Sequence, residues 1–211
     1  MGLFNRRAPH AELPPVVLAA LELAKGERVL SFGVDDNTGA FVVATTYSLA
    51  VVSLAAVTAD IVPASAKTSS AETSSAETST AETSTAETPT AARTLRRRWL
   101  SVDAGAWEPE TATLTVTWAE GGRGAQWSFR DQETQLPETL RERVQASVVI
   151  ATRLTLGDRR SGRVAIRQDF ATRELISQTI LGRYTRADDP EVQAHVRAAL
   201  AHLRDQVGLP A

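Results

Sequence analysis

Two stretches of the chain alternate apolar and polar residues with a period of two. Leu114, Val116 and Trp118 interleave with Thr113, Thr115 and Thr117, and Trp127 and Phe129 interleave with Gln126, Ser128 and Arg130. The alternation predicts half-buried strands, and Gly121-Gly122-Arg123-Gly124 between them predicts the turn of a hairpin. Upstream, Val29, Phe32 and Val34 predict a strand that ends in a turn at Asp35–Gly39. Phe41–Leu54 is rich in β-branched residues and predicts one long strand or two, and Leu95–Val102 predicts another. Glu108-Pro109-Glu110 reads as a turn.

Further on the period changes. Leu136, Leu140, Val144 and Val148 recur at helical spacing behind Pro137. A strand follows, with Val148, Ile150, Leu154 and Leu156 expected on one face. Val164, Ile166 and Phe170 pattern the next strand, and Leu175–Leu181 one more. Asp189-Pro190 then supplies an N-cap and a first-turn proline, ahead of an apolar stripe at Val192, Val196, Ala199, Leu200, Leu203 and Val207 that Gly208 stops. Residues 14–24 predict a short opening helix, with Pro14 and Pro15 in its first turn. Strand and helix do not alternate regularly, which argues against a doubly wound parallel sheet. The expected class is α+β: a curved antiparallel sheet or partly open barrel closed by the C-terminal amphipathic helix.

One segment has neither period. From Ser70 the chain reads SAETS, SAETS, TAETS, TAETP, with Glu72, Glu77, Glu82 and Glu87 five residues apart. A five-residue period builds no continuous apolar face on a helix or a strand. Few large apolar side chains are present to offset the ordering entropy, so residues 63–92 are expected to be a disordered low-complexity insert. Residues 1–62 and 93–211 are expected to close into one domain across it.

Composition narrows the chemistry. Apolar residues make up 43% of the 211, enough for a globular core, and the net charge is −2. The absence of Cys removes disulfides, thiolate catalysis and Cys-based zinc sites. The start of the chain lacks the apolar run of a secretory signal, and the apolar stretch Tyr47–Val62 is too short to span a bilayer and contains Asp60. The expectation is a soluble cytoplasmic protein with no transmembrane segment. His195 and His202 are seven apart on the last helix, too far for the zinc spacing of three or four, and His10 lies near the start. No GxSxG is present, and Asp35/Asp36, Glu108/Glu110 and Asp188/Asp189 coincide with turns or a cap. No catalytic residue, metal ligand or cofactor is therefore assigned.

The basic side chains are the functional lead. They comprise 21 Arg and 2 Lys. Arg96, Arg97 and Arg98, with Arg93 before them, precede Trp99, and residues 151–186 carry eight arginines against Asp158, Asp169 and Glu174. Arg163 and Arg167 alternate with Val164 and Ile166, which predicts that they project from the solvent face of a strand. Arg96, Arg97, Arg98, Arg163 and Arg167 are the candidate binding residues, on a sheet face suited to a protein or an anionic ligand. Trp99, Trp107 and Tyr184 are the only aromatics expected to be exposed nearby, too few to favour nucleic acid. Two other readings remain open. One is an enzyme with a cleft near Trp107, Trp118 or Trp127. The other is a peripheral membrane-surface protein that uses Arg6, Arg7 and the arginine face.

Two resemblances follow from these patterns. A run of about seven strands before one amphipathic helix, over residues 27–207 without the insert, resembles the pleckstrin-homology-like plan, including its bacterial forms. The helix at Pro137–Ser147 departs from that plan by falling between strands. The segments MGLFNRR, GERVL (Gly26–Leu30), VATT (Val43–Thr46), RRRWL (Arg96–Leu100), LPETLRERVQASVV (Leu136–Val149) and RVAIRQD (Arg163–Asp169) resemble a family of short actinobacterial proteins of unassigned function. That resemblance implies a bacterial cytosolic setting and brings no activity, cofactor or site residues.

Overall fold

The computed structural model describes residues 12–54 and 92–210. The repeat therefore lies outside the described residues, except that Ala92 opens a strand. Helix α1 (Pro15–Ala20) precedes β1 (Val29–Val34), β2 (Phe41–Thr45), β3 (Ser48–Leu54) and β4 (Ala92–Arg98). A 3-10 turn at Trp99–Ser101 leads into β5 (Val102–Glu108), β6 (Thr113–Trp118) and β7 (Ala125–Ser128). Helix α2 (Leu136–Ser147) follows, then β8 (Val148–Arg153), β9 (Gly162–Gln168), β10 (Leu175–Leu181) and α3 (Pro190–Gln206).

The strands form three antiparallel sheets, ordered β1-β2-β3-β4, β5-β6-β7 and β10-β9-β8. None is closed into a barrel, so the single curved sheet or partly open barrel expected from sequence is replaced by three smaller sheets. The expected strand over 95–102 is also split. Its middle tightens into the 3-10 turn because Trp99 leaves the ladder to enter the core, where it is 1% exposed. Phe41–Leu54 resolves into two strands around Thr46-Tyr47. Phe170 lies beyond β9, in a turn, and packs against the core beside Trp99. A bulge between Val148 and Ile150 takes Val148 off the face it was expected to share with Ile150, leaving it exposed.

Alternation along the strands explains the packing. In the first sheet Val42, Ala44 and Leu49 face Trp99, Leu114, Phe129 and Leu140, while Val43, Ala50 and Val52 face Val17 of α1 and Leu21 just beyond it. Helix α2 caps the space between the first two sheets through Leu136 and Leu140. Gly105 on β5 allows its approach, since a Cβ there would collide with the Leu140 side chain. The third sheet has its own cluster, in which Leu154, Val164 and Ile166 pack against Val192 and Leu203 of α3. That helix forms as its sequence dictates. The Asp189 carboxylate accepts from the Glu191 N–H at 2.9 Å, Pro190 sits in the first turn, and Gly208 with φ +70 lies just beyond its end.

Candidate functional site

The candidate arginines lie on two strands, β4 and β9. On β4, period-two alternation separates them. Arg96 pairs with Ala50 and Arg98 with Ser48, on the α1 side of the sheet, whereas Arg97 pairs with Leu49 on the opposite side. Arg96 reaches Glu27 at 3.2 Å. Arg98, with 60% of its side chain exposed, meets the Asp169 carboxylate at 2.5 Å. Arg97 lies 4.4 Å from the centre of the Trp118 ring and 3.5 Å from Glu120. The last two carboxylates were not legible as partners, because both lie on loops distant in sequence.

Arg167 does not face solvent, and Arg163 does so only in part. Alternation on β9 is as expected, but the face opposite α3 packs against the rest of the molecule. Arg163 pairs with Asp103 of β5. Arg167 is 2% exposed and uses every N–H it has. Its Nε and Nη2 donate to Ser147 Oγ at the end of α2, and Nη2 also donates to the Trp99 carbonyl at 2.9 Å. Nη1 donates to the carbonyls of Leu100 (3.1 Å) and Val102 (2.9 Å) and to Gln178 Oε1 (3.1 Å). Burial lowers its pKa from the ordinary guanidinium value, and the nearby charge of Arg163 acts in the same direction against Asp103. The guanidinium stays charged, held by the carbonyls of Trp99, Leu100 and Val102 and by the Ser147 hydroxyl at the end of α2. Arg167 therefore joins β9 to the first two sheets and is closed to any ligand.

Glu27, in the GERVL segment, is the best-held carboxylate described. Its side chain is 2% exposed and accepts from Thr45 Oγ1 at 2.5 Å, Ser48 Oγ at 3.0 Å and the Ala24 N–H at 3.1 Å. Burial pushes its pKa up, but these hydrogen bonds together with the charge of Arg96 outweigh it and hold the pKa below the ordinary 4.5. A depressed folded pKa contributes stability above the unfolded value that is lost as pH falls through the folded value. Urea unfolding across the acid limb is therefore expected to show the wild type losing stability below pH 4.5, with E27Q starting lower and showing a flatter dependence there. Parallel acid limbs would rule out this linkage.

The four tryptophans are spread over the core and its rim. Trp99 is in the core and donates Nε1–H to the Thr45 carbonyl at 3.0 Å. Trp127 is buried, Trp118 lies beneath Arg97, and Trp107 stacks on Phe129 with ring centres 6.5 Å apart. Of the aromatics expected at the surface, Tyr184 is exposed and Trp99 is not. Two surface concavities stand out. One is lined by Val16, Ala19, Ala20, Glu22, Ala92 and Thr94, and the other by Thr134, Gln135, Glu138, Thr139 and Glu142. Neither includes a tryptophan or a histidine. His195 and His202 are exposed on α3, while Arg6, Arg7 and His10 lie outside the described residues. Among the described residues, no three His, Cys, Asp or Glu side chains group to hold a metal ion, and no helix is long and apolar enough to cross a membrane.

What remains open to a ligand is the part of β4 that extends past the core on the Leu49 side of the sheet. Arg93, Leu95 and Arg97 share the face that continues from Ser53, Val51 and Leu49. Leu95 is 59% exposed between the two arginines. The pair Arg97–Glu120 is itself exposed, and such pairs contribute only about 0–1 kcal/mol, so an incoming carboxylate can displace Glu120 at little cost. Leu95 was not singled out from sequence, although strand alternation from Arg93 to Arg97 passes through it. Comparison with protein-family models, curated proteins and solved structures gives no match.

Proposed function

We propose that the chain is a non-catalytic binding or scaffold module that takes an acidic protein segment along β4. The observation that carries this reading is the exposed Leu95 flanked by Arg93 and Arg97 on an edge strand. An extended segment with alternating carboxylates would set its charges against the arginines and an apolar side chain against Leu95. Trp118, stacked under Arg97, stiffens the arginine and adds aromatic area.

The module's plan is read as pleckstrin-homology-like. A four-stranded sheet, a three-stranded sheet and then α2 support this, with all seven strands preceding the helix. On this reading α2, and not α3, is the closing helix. The helix that broke the likeness in the sequence completes it, and β8–β10 with α3 are an addition.

Fluorescence anisotropy with a labelled Glu-rich peptide at low salt tests the binding. The expected result is saturable binding that weakens with salt and falls at least about tenfold, about 1.4 kcal/mol, in R93E/L95E. Absence of binding, or equal binding by the variant, would end the proposal. Flotation with anionic vesicles in the absence of peptide binding would replace it with the membrane-surface reading.

A further inference from the structure

The edges of the three sheets are not protected alike. An open strand edge invites pairing with another chain unless charge, proline, a bulge or a cover blocks it. β1 is covered by Gln132, which exchanges hydrogen bonds with the Val34 N–H and carbonyl, and by Thr134 Oγ1 donating to the Phe32 carbonyl. β4 carries four arginines, and β8 has a bulge and ends in Arg153. Among the described residues, β10 has none of these devices. Its seven residues, Leu-Ile-Ser-Gln-Thr-Ile-Leu, contain no charge and no proline, and β9 is the only described strand bonded to it.

The β10 sequence reads nearly the same in both directions about Gln178. Leu175 mirrors Leu181, Ile176 mirrors Ile180, and Ser177 mirrors Thr179. The backbone has the matching parity. The Glu174 carbonyl accepts from Asp169 and the Gly182 N–H donates to Ser161, so the even-numbered residues of β10 point their backbone groups at β9. Leu175, Ser177, Thr179 and Leu181 point theirs out of the edge. A two-fold axis at Gln178 sets Leu175 against Leu181 of a second copy and Ser177 against Thr179, so outward groups meet outward groups. The same register places Glu174 one position from Arg183 of the other copy. Leu175 and Leu181 also belong to the cluster under α3, so like side chains would meet on that face too.

We infer that the protein forms a two-fold dimer in which β10 pairs antiparallel with β10 of a second copy, making one six-stranded sheet from two three-stranded ones. The interface is isologous: it uses up both β10 edges and stops at two chains. It is separate from β4, so failure of the acidic-peptide reading leaves it standing.

The test is sedimentation of the full chain over a range of concentrations, with T179P and I176K. The Thr179 N–H points away from β9, so proline there deletes an outward donor while sparing the β9–β10 ladder. Ile176 is 39% exposed, and lysine there would oppose Ile180 of the other copy. The expected result is a dimer for the wild type and a monomer for both variants, each retaining the wild-type circular dichroism. Amide exchange should also slow with concentration at Leu175, Ser177, Thr179 and Leu181. A monomeric wild type at every concentration would overturn the proposal, as would a dimer that survives in both variants or assembly beyond two chains.

Discussion

Replacing Arg167 with Leu is expected to lower the unfolding free energy by about 3–5 kcal/mol, because several hydrogen bonds from a buried charged donor, each worth about 1.5–3 kcal/mol, are lost together. The leucine would fill space and remove the guanidinium donor of the Val102 carbonyl, while the Trp99 and Leu100 carbonyls keep the Val102 N–H and the Gln178 amide. A stranded carbonyl costs about 1–3 kcal/mol, so even partial entry of water leaves a deficit. R167K keeps the charge but has three donors on one atom in place of a planar fork, and is expected to fall between Leu and wild type. R163A provides the contrast. Its pair with Asp103 leaves 44% of the arginine side chain exposed, and the expected loss is about 1 kcal/mol or less. Urea midpoints at constant m-value measure all three. An R167L midpoint close to wild type would mean that Arg167 does not hold β9 to the first two sheets.

Truncating Trp99 to Ala is expected to cost a further about 3–5 kcal/mol in its own right, because a large, fully packed side chain leaves a cavity that its neighbours fill only partly. The residue is 1% exposed among Val42, Leu49, Val102 and Leu140. Its indole N–H also donates to the carbonyl of Thr45, the last residue of β2. W99F separates the two contributions: it retains most of the packing and strands one carbonyl, for an expected loss of about 1–3 kcal/mol. Because Trp99 and Arg167 share a backbone contact, R167L/W99A is expected to lose less than the two single losses combined. Additive losses would show the two positions to be uncoupled.

Local pattern carried far along this chain. The β6–β7 hairpin, the Asp35–Gly39 turn and the Asp189-capped helix all follow from side chains within a few residues of each other. What the pattern does not contain is which face meets water. On β9 the alternation of Arg163 and Arg167 with Val164 and Ile166 is present, and the polar half still packs inward, because another layer lies across it. A buried cation with only neutral acceptors leaves no carboxylate in the sequence to signal it. Likewise, three consecutive arginines on β4 read as one patch, yet strand geometry sends Arg97 to one side and Arg96 and Arg98 to the other. Splitting strands into three sheets, in place of one curved sheet, depends on the 3-10 turn at Trp99, where a long-range fit outweighs a locally extended sequence.

The guanidinium that completes the Trp99–Val102 region enters the chain 65 residues after the carbonyl of Val102 that it serves. During synthesis the first seven strands and α2 leave the ribosome with the Leu100 and Val102 carbonyls still lacking the Arg167 donor and open to water. Dehydration of that corner must wait for β9 to be translated. Truncation before Gly162 would thus leave a wet notch in an otherwise assembled body, and the last quarter of the message decides when the first half becomes dry.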